Sequence, residues 1–530
     1  MFPLRSLSRW SIYPLVLVAC AMATAAVPAV RDGGDAVFEG TSEQVPESPL
    51  DKIVRVRLQK LKITAAPLCS DAVFLRRAYL DVIGTLPTVE AARAFLDDPK
   101  PGKRQRLIEQ LLERPEYADY QAMRWSDLLR VKAEFPINLW PNAAQSYHHW
   151  IVQAMRENRP ADVFARELIV SNGSNFRNGP VNFYRAVQSR DPESLARAVA
   201  LTFFGMRAER WAPERLAGLA GFFTGVRYKA TGEWKEEIVF FDPSASADPK
   251  RAPVFPDGAP ASLKPGVDPR DALADWMLDS KHPWLARSLA NRAWGWLLGR
   301  GIVHETDDFR EDNPPANAAL LNYLEHELIA SNYDMKQLFR LILNSQTYQR
   351  SSLPVDASSA AAANFAFYPV RRLEAEVLAD ALNQITGSTD SYVSAIPEPF
   401  TFVPADVRSI ALPDGSISGL FLEKFERCPR DTGLAAERDN TINADQRLHL
   451  LNSGHVLRKI EQGPALRSLL KPGAPSGGPV VDRIYLAVLS RRPTDAERTR
   501  AGGLAPAGGR EALQDLAWAL MNSPEFIYRH

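Results

Sequence analysis

The chain has 530 residues, of which 45% are hydrophobic and 24% charged, the balance of an ordinary globular protein. Its 63 basic and 63 acidic residues cancel, which argues against the basic face that a broad nucleic-acid footprint needs. Three cysteines are too few for a cysteine-rich zinc site or a four-cysteine iron–sulfur cluster.

Arg5 and Arg9 precede a short apolar run, Trp10–Ala19. A stable membrane span needs about 20 apolar residues. A basic start, a short apolar core and small residues behind it read as a signal peptide over residues 1–20. Leu17-Val18-Ala19-Cys20 also fits the lipobox of bacterial lipoproteins, in which Cys20 becomes the lipid-bearing first residue of the mature chain. Cleavage at Ala21-Met22-Ala23 or Ala23-Thr24-Ala25 is the alternative. No later run of about 18 apolar residues occurs, so a lipid at Cys20 is the expected membrane contact. The expected location is the periplasm or the outer-membrane surface. Cys69 and Cys428 then either pair or stay as buried thiols.

Residues 21–47 are polar and glycine-rich and read as a linker. From residue 48 the pattern is helical. Ile53, Val56, Leu58 and Leu61 predict the inner face of a first helix. Further helices are predicted over 73–83, 89–96, 103–112, 120–129, 143–157, 161–170 and 192–204, with a short strand pair in 228–242. Residues 243–268 are proline-rich and mark a linker between domains 48–242 and 269–530. The second block predicts helices over 272–278, 283–298, 316–330, 335–344 and 372–385, an irregular stretch with minor β over 391–420, and a last helical pair over 482–489 and 512–521. The fold class expected is mainly α, in two helical domains.

The two ends of the chain echo each other. Arg77-x-Tyr79-Leu80, Pro87-Thr88 and Pro115-Glu116-Tyr117 return as Arg483-x-Tyr485-Leu486, Pro493-Thr494 and Pro524-Glu525-Phe526. The expected unit is a helix, a second helix capped by the Thr of Pro-Thr, and a third helix ended by Pro-Glu-aromatic.

No phosphate loop, dinucleotide fingerprint or nucleophile elbow is present. His326-Glu327 begins like a zinc-protease helix but lacks the second histidine. The densest polar stretch runs from His304 to Asp312. Asp307, Asp308 and Glu311, with Arg292 and Arg300, are the candidate catalytic residues. The same three carboxylates are the candidate metal ligands, since oxygen-rich loops bind calcium. A solvated capping loop with structural Arg–carboxylate pairs is the plain alternative. His148 and His149 point about 100° apart on a helix and do not suit one metal. The 11 tryptophans suit either a core or sugar stacking.

The chain resembles an exported bacterial family, abundant in planctomycetes, that pairs an N-terminal with a C-terminal domain of unknown function, often beside a cytochrome c module. The N-terminal likeness lies in Phe74-Leu75-Arg76-Arg77-Ala78-Tyr79-Leu80-Asp81-Val82-Ile83-Gly84-Thr85-Leu86-Pro87-Thr88, in Pro115-Glu116-Tyr117, and in Trp125, Asp127 and Arg130. The C-terminal likeness lies in Asn291-Arg292-Ala293-Trp294, Gly299-Arg300-Gly301-Ile302-Val303, Asp308-Phe309, Leu343-Asn344-Ser345, Arg371-Arg372-Leu373-x-x-Glu376 and Asn522-Ser523-Pro524-Glu525-Phe526. Many relatives carry Cys-x-x-Cys-His just before a Gly-Leu-Ala-x-Phe-Phe run. Here Gly218-Leu219-Ala220-Gly221-Phe222-Phe223 is present, but Phe203–Trp211 holds no cysteine. Covalent haem attachment needs two thiols and an axial His, so no c-type haem, and no other cofactor, is expected.

The resemblance implies export and an exported sulfatase-like neighbour or an extracellular polysaccharide as partner. The charge balance gives no expectation of a nucleic-acid partner, and the resemblance supplies no activity, so whether the chain is an enzyme stays open. Three readings follow. One is a scaffold or binding component acting with exported partners on extracellular polymers. Another is a glycan hydrolase or lyase using the 304–312 loop. The third is a redox accessory that has lost its haem, with a vacant pocket near Trp211.

Overall fold

The hydroxyl of Ser48 accepts from the Asp51 N–H, and the Asp51 carboxylate accepts from the Ser48 N–H; this reciprocal cap starts the helix Pro49–Lys60. The same carboxylate accepts from the N–H groups of Gln346 and Thr347 at 3.0 and 2.8 Å. Those bonds turn Asp51 inward, so the buried stripe is Leu50, Val54 and Leu58. Val56 and Leu61, expected on the inner face, are exposed. The computed structural model describes residues 37–40, 44–246, 252–264, 266–279, 281–471 and 479–530. Residues 1–20, expected to be a signal peptide, and with them Cys20, lie outside the described residues.

The protein is mainly α-helical. Twenty-three α-helices and five short strands occur among the described residues. The echo of the two chain ends is structural. Thr88 caps Val89–Asp97 and Thr494 caps Asp495–Met521, the latter in a reciprocal pair with Glu497. The preceding helices are Asp71–Val82 and Val480–Leu489, and the second of these packs on Val89–Asp97, so the two copies touch. The Pro-Glu-aromatic triplets do not end helices. Pro115 and Pro524 are the first residues of Pro115–Leu128 and Pro524–Ile527, because proline at a helix start loses no hydrogen bond.

Minor β structure falls at the first expected place. Val226–Ala230 and Glu237–Phe241 pair antiparallel, with Tyr228 opposite Val239, and Gly173–Ser174 joins the free edge of the second strand. In 391–420 the β content is one bridge, Val393 to Ser418. Arg371–Arg372 pairs with Tyr528–Arg529 near the chain end.

Residues of both sequence halves share the core. The larger cluster runs from Leu50 to Tyr368 and takes in Leu486. The smaller one joins Leu80, Leu86, Tyr120 and Met123 to residues from Leu373 onward. Ala36–His530 is accordingly one compact unit. The proline-rich segment is packed too: Phe255 stacks on Trp276 at 5.4 Å and lies 5.1 Å from Phe222. Cys69 and Cys428 are both buried free thiols. Among the described residues no helix is long and apolar enough to cross a membrane.

Candidate functional site

The acidic loop is divided between core and surface. Asp307 and Arg292 form a buried pair, with Nη2 3.0 Å and Nε 3.3 Å from Oδ1. Arg292 also donates to the carbonyls of Leu201, at 2.6 Å, and Thr202. The other Asp307 oxygen accepts from the Ala435 N–H at 2.5 Å. Every contact of this pair ties chain to chain, the usual role of a buried Arg–carboxylate pair. Asp308 is held by Arg310 at 3.1 Å and Arg210 at 3.5 Å. Glu311 is exposed. Among the described residues no group of three or more His, Cys, Asp or Glu is placed to hold a metal. Trp211 packs on the larger core with the Arg215 guanidinium 4.0 Å from its ring.

Arg300 stands apart from these. It lines a cleft of about 610 Å³ together with Arg124, Asp127, His304, Arg371, Glu374 and Arg438. The helix Pro115–Leu128 presents Arg124, Asp127 and Leu128 on one face, at i, i+3 and i+4. The helix Trp284–Leu298 ends at Gly299 with φ 71°, a left-handed turn that favours glycine. A Cβ on Gly299 would sit 2.7 Å from Arg371 Nη1, so the bare glycine lets that guanidinium into the cleft wall.

Beneath the cleft lies a buried charge lattice. Asp81 accepts from Tyr348 and Tyr368 at 2.8 and 2.9 Å, and from Arg371 and Arg529 at 2.8 and 3.0 Å. Glu374 is held by Arg529 and by the Tyr120 hydroxyl at 3.3 Å. Arg438 bridges Asp127 and Glu376, 2.7 Å from each, and Arg430 binds the other Asp127 oxygen at 3.0 Å. Burial alone would raise the Glu376 carboxyl, but Arg438 and then Arg427 hold it at about 2. Burial likewise opposes ionisation of Glu374, and Arg529 followed by Arg124 outweighs it.

Two of the cleft's carboxylates, Asp127 and Glu374, are therefore occupied by arginines, and Glu305 lies at the rim 3.7 Å from His304, while two of its cations have no acid partner. Arg124 and Arg300 have no carboxylate within ion-pair distance among the described residues. Arg124 is only 6% exposed, stacks 4.1 Å from the Tyr120 ring, and leaves Nη1 without a hydrogen-bond partner. His304 lies half exposed at the rim; partial burial, and then Arg300, push its imidazole below the usual range. It is neutral at neutral pH.

Two family models divide the chain across this cleft. Residues 49–209 match PSCyt2, a protein of unknown function (DUF1549), and residues 269–504 match PSD1, a protein of unknown function (DUF1553). The chain belongs to this paired-domain family. No curated protein and no solved structure matches it. In the paired-domain chain the cleft forms where the matched segments meet: Met123–Leu128 comes from the first, and the remaining wall from the second. Of the residues singled out by sequence, Arg300 and Asp127 line it, whereas Asp307, Asp308 and Glu311 do not. Arg124, Arg371, Glu374 and Arg438 were not singled out as site residues. Arg371 sits in the Arg371-Arg372-Leu373-x-x-Glu376 motif, which was the available signal. Arg438 lies in a stretch without periodicity and gave none.

Proposed function

We propose that this chain is an exported, cofactor-free binding component of the cell envelope, anchored by lipid at Cys20. Its cleft takes an anionic group of an extracellular polymer. The observation that supports this reading is the pair of guanidinium groups, Arg124 and Arg300, without carboxylate partners in a cleft where Asp127 and Glu374 are already held by other arginines. Guanidinium groups bind carboxylate and sulfate oxyanions in a bidentate fashion. The partner is then an acidic polysaccharide, with an exported sulfatase-like protein as the neighbour that acts on it.

Calorimetric titration of the full chain with sulfated and carboxylated oligosaccharides tests the reading. Arg300→Gln should weaken binding about tenfold, and wild-type affinity should fall as salt rises. Affinity unchanged in both Arg300→Gln and Arg124→Gln overturns it. For the anchor, palmitate labelling should vanish in Cys20→Ser; labelling that persists rules the anchor out.

One observation favours a second reading, a glycan lyase. His304 is a neutral imidazole beside Arg300 and suits proton abstraction next to an arginine-neutralised carboxylate. Unsaturated product from an acidic glycan, lost in His304→Ala, would support it. Stoichiometric binding without product would leave the binding role alone standing.

A further inference from the structure

Three separate stretches bring aromatic side chains into or beside one exposed groove, which Phe135 and Trp140 line while Trp234 and Phe400 flank it. Phe135 and Trp140 come from the loop before the helix Pro141–Arg156, Trp234 and Lys235 from the turn joining Val226–Ala230 to Glu237–Phe241, and Phe400 from the irregular region. The groove measures about 350 Å³ and its wall includes Glu134, Phe135, Asn138, Trp140 and Lys235. Phe135 is 81% exposed, Trp234 70% and Phe400 47%. Trp140 meets the edge of Phe400 at 5.3 Å. The Lys235 ammonium lies 5.2 Å from the Trp234 ring and 5.9 Å from the Trp140 ring, so it links the two indoles. Large aromatics grouped in water mark a binding surface, because each would otherwise be buried.

The backbone is bent to make this groove. Asn138, Trp140 and Lys235 all have positive φ, at 61°, 72° and 65°. Trp140, with ψ 148°, occupies a region that is essentially reserved for glycine. Its N–H is held by the Ala133 carbonyl at 3.1 Å, and its own carbonyl accepts from Ala144 at 3.0 Å. Such strain in a bulky residue persists where the surroundings impose it, and it concentrates at ligand clamps.

We infer that this groove is a carbohydrate subsite that stacks a pyranose ring of an acidic sugar on Phe135 and Trp140, with Trp234 extending the platform beyond Lys235. Its size is at the small end of ligand sites, suited to a single ring. The aromatic faces receive the C–H bonds of the sugar, while the polar members of the wall meet its hydroxyls. Glu134 is fixed as an acceptor by the Ala395 N–H at 3.2 Å. Lys235 has no carboxylate within ion-pair distance among the described residues, so an anionic substituent on the sugar completes its charge. An apolar peptide would leave that ammonium and the Glu134 carboxylate against hydrocarbon, which is costly. The groove shares no lining residue with the arginine cleft and stands independently of the function proposed for it.

The test titrates the full chain in the Arg300→Gln background, so that cleft and groove are read apart. The probes are a short oligogalacturonate and a neutral cello-oligosaccharide. Trp234→Ala and Phe135→Ala change exposed side chains and should each weaken oligogalacturonate binding about tenfold. Lys235→Gln should remove the preference for the charged probe over the neutral one. Binding that is unaffected by Trp234→Ala and Phe135→Ala overturns the inference. So does an absence of binding to either probe, or capture of an apolar peptide in place of saccharide.

Discussion

Asp81 and Arg529 lie 3.0 Å apart with both side chains fully buried, although 448 residues separate them in the chain. One sits on the helix Asp71–Val82, the other on the last strand, Tyr528–Arg529. Arg529 also donates to the Tyr120 hydroxyl at 2.8 Å and to Glu374. Asp81 fixes Arg371, which lines the cleft. The pair thus fastens the chain end under the candidate site.

Removing one member would strand several buried charges at once. Arg529→Met is expected to cost about 3–5 kcal/mol of folding stability, the range for breaking a buried pair from one side. Denaturant unfolding followed by circular dichroism measures it. A loss below about 1 kcal/mol would mean that the lattice relaxes around the gap.

Acid should unfold this protein in two overlapping steps. Burial, then the nearby Arg430, lowers the His148 imidazole to about 3 from 6.5. The unfolded chain therefore takes up a proton that the folded one refuses. That contribution to stability is full above pH 6.5 and is lost as pH falls toward 3, on the order of 5 kcal/mol in total. Glu376, held at about 2 against 4.5, adds a second loss as pH falls from about 4.5 to about 2. Stability measured against pH should be level above pH 6.5 and fall below it. His530, lowered to about 3 by burial and then Arg76, shares the part between about pH 6.5 and 4.5, so His148→Gln should roughly halve the slope there; an unchanged slope would remove His148 as a source.

The helices were legible because their signals are local. Thr88 and Thr494 announce helix starts by side-chain chemistry within three residues, and the structure uses both. The inner face of the first helix was misread because Asp51 is turned inward by Gln346 and Thr347, partners far along the chain. The same limit governs the site. Asp307 and Asp308 are conspicuous in sequence, but whether a carboxylate is free depends on distant arginines. Arg124 looks like any helical arginine. Its significance comes from Trp296, Tyr120 and the missing carboxylate partner, none of which spacing encodes.

The capping threonines give a direct comparison between the two echoed units. Thr494→Ala removes a hydroxyl that accepts from Glu497 N–H, and Thr88→Ala one that accepts from Ala91 N–H. Each should cost about 1 kcal/mol, read from denaturation midpoints. Thr494→Ala should cost the more, because Glu497 also loses a hydroxyl that donates to it at 3.0 Å. Equal losses would show that the reciprocal cap adds nothing.

Gly299 tests how the fold shapes the cleft. It holds φ 71°, and a Cβ there would meet the Arg371 guanidinium at 2.7 Å and its Cδ at 3.1 Å. Gly299→Ala therefore carries two penalties. The left-handed backbone costs on the order of 1 kcal/mol for a residue with a Cβ. Arg371 must also shift, although Asp81 and the carbonyls of Trp296 and Leu297 hold it at 2.8–3.0 Å. Together these should lower stability by about 1–3 kcal/mol. Affinity for an anionic oligosaccharide should fall as well, because Arg371 is displaced from the wall it shares with Arg124 and Arg300. Asn tolerates positive φ better than Ala but keeps the Cβ. Gly299→Asn should therefore recover part of the stability and none of the affinity. If Asn restores both, the turn alone matters and Arg371 does not depend on the bare glycine.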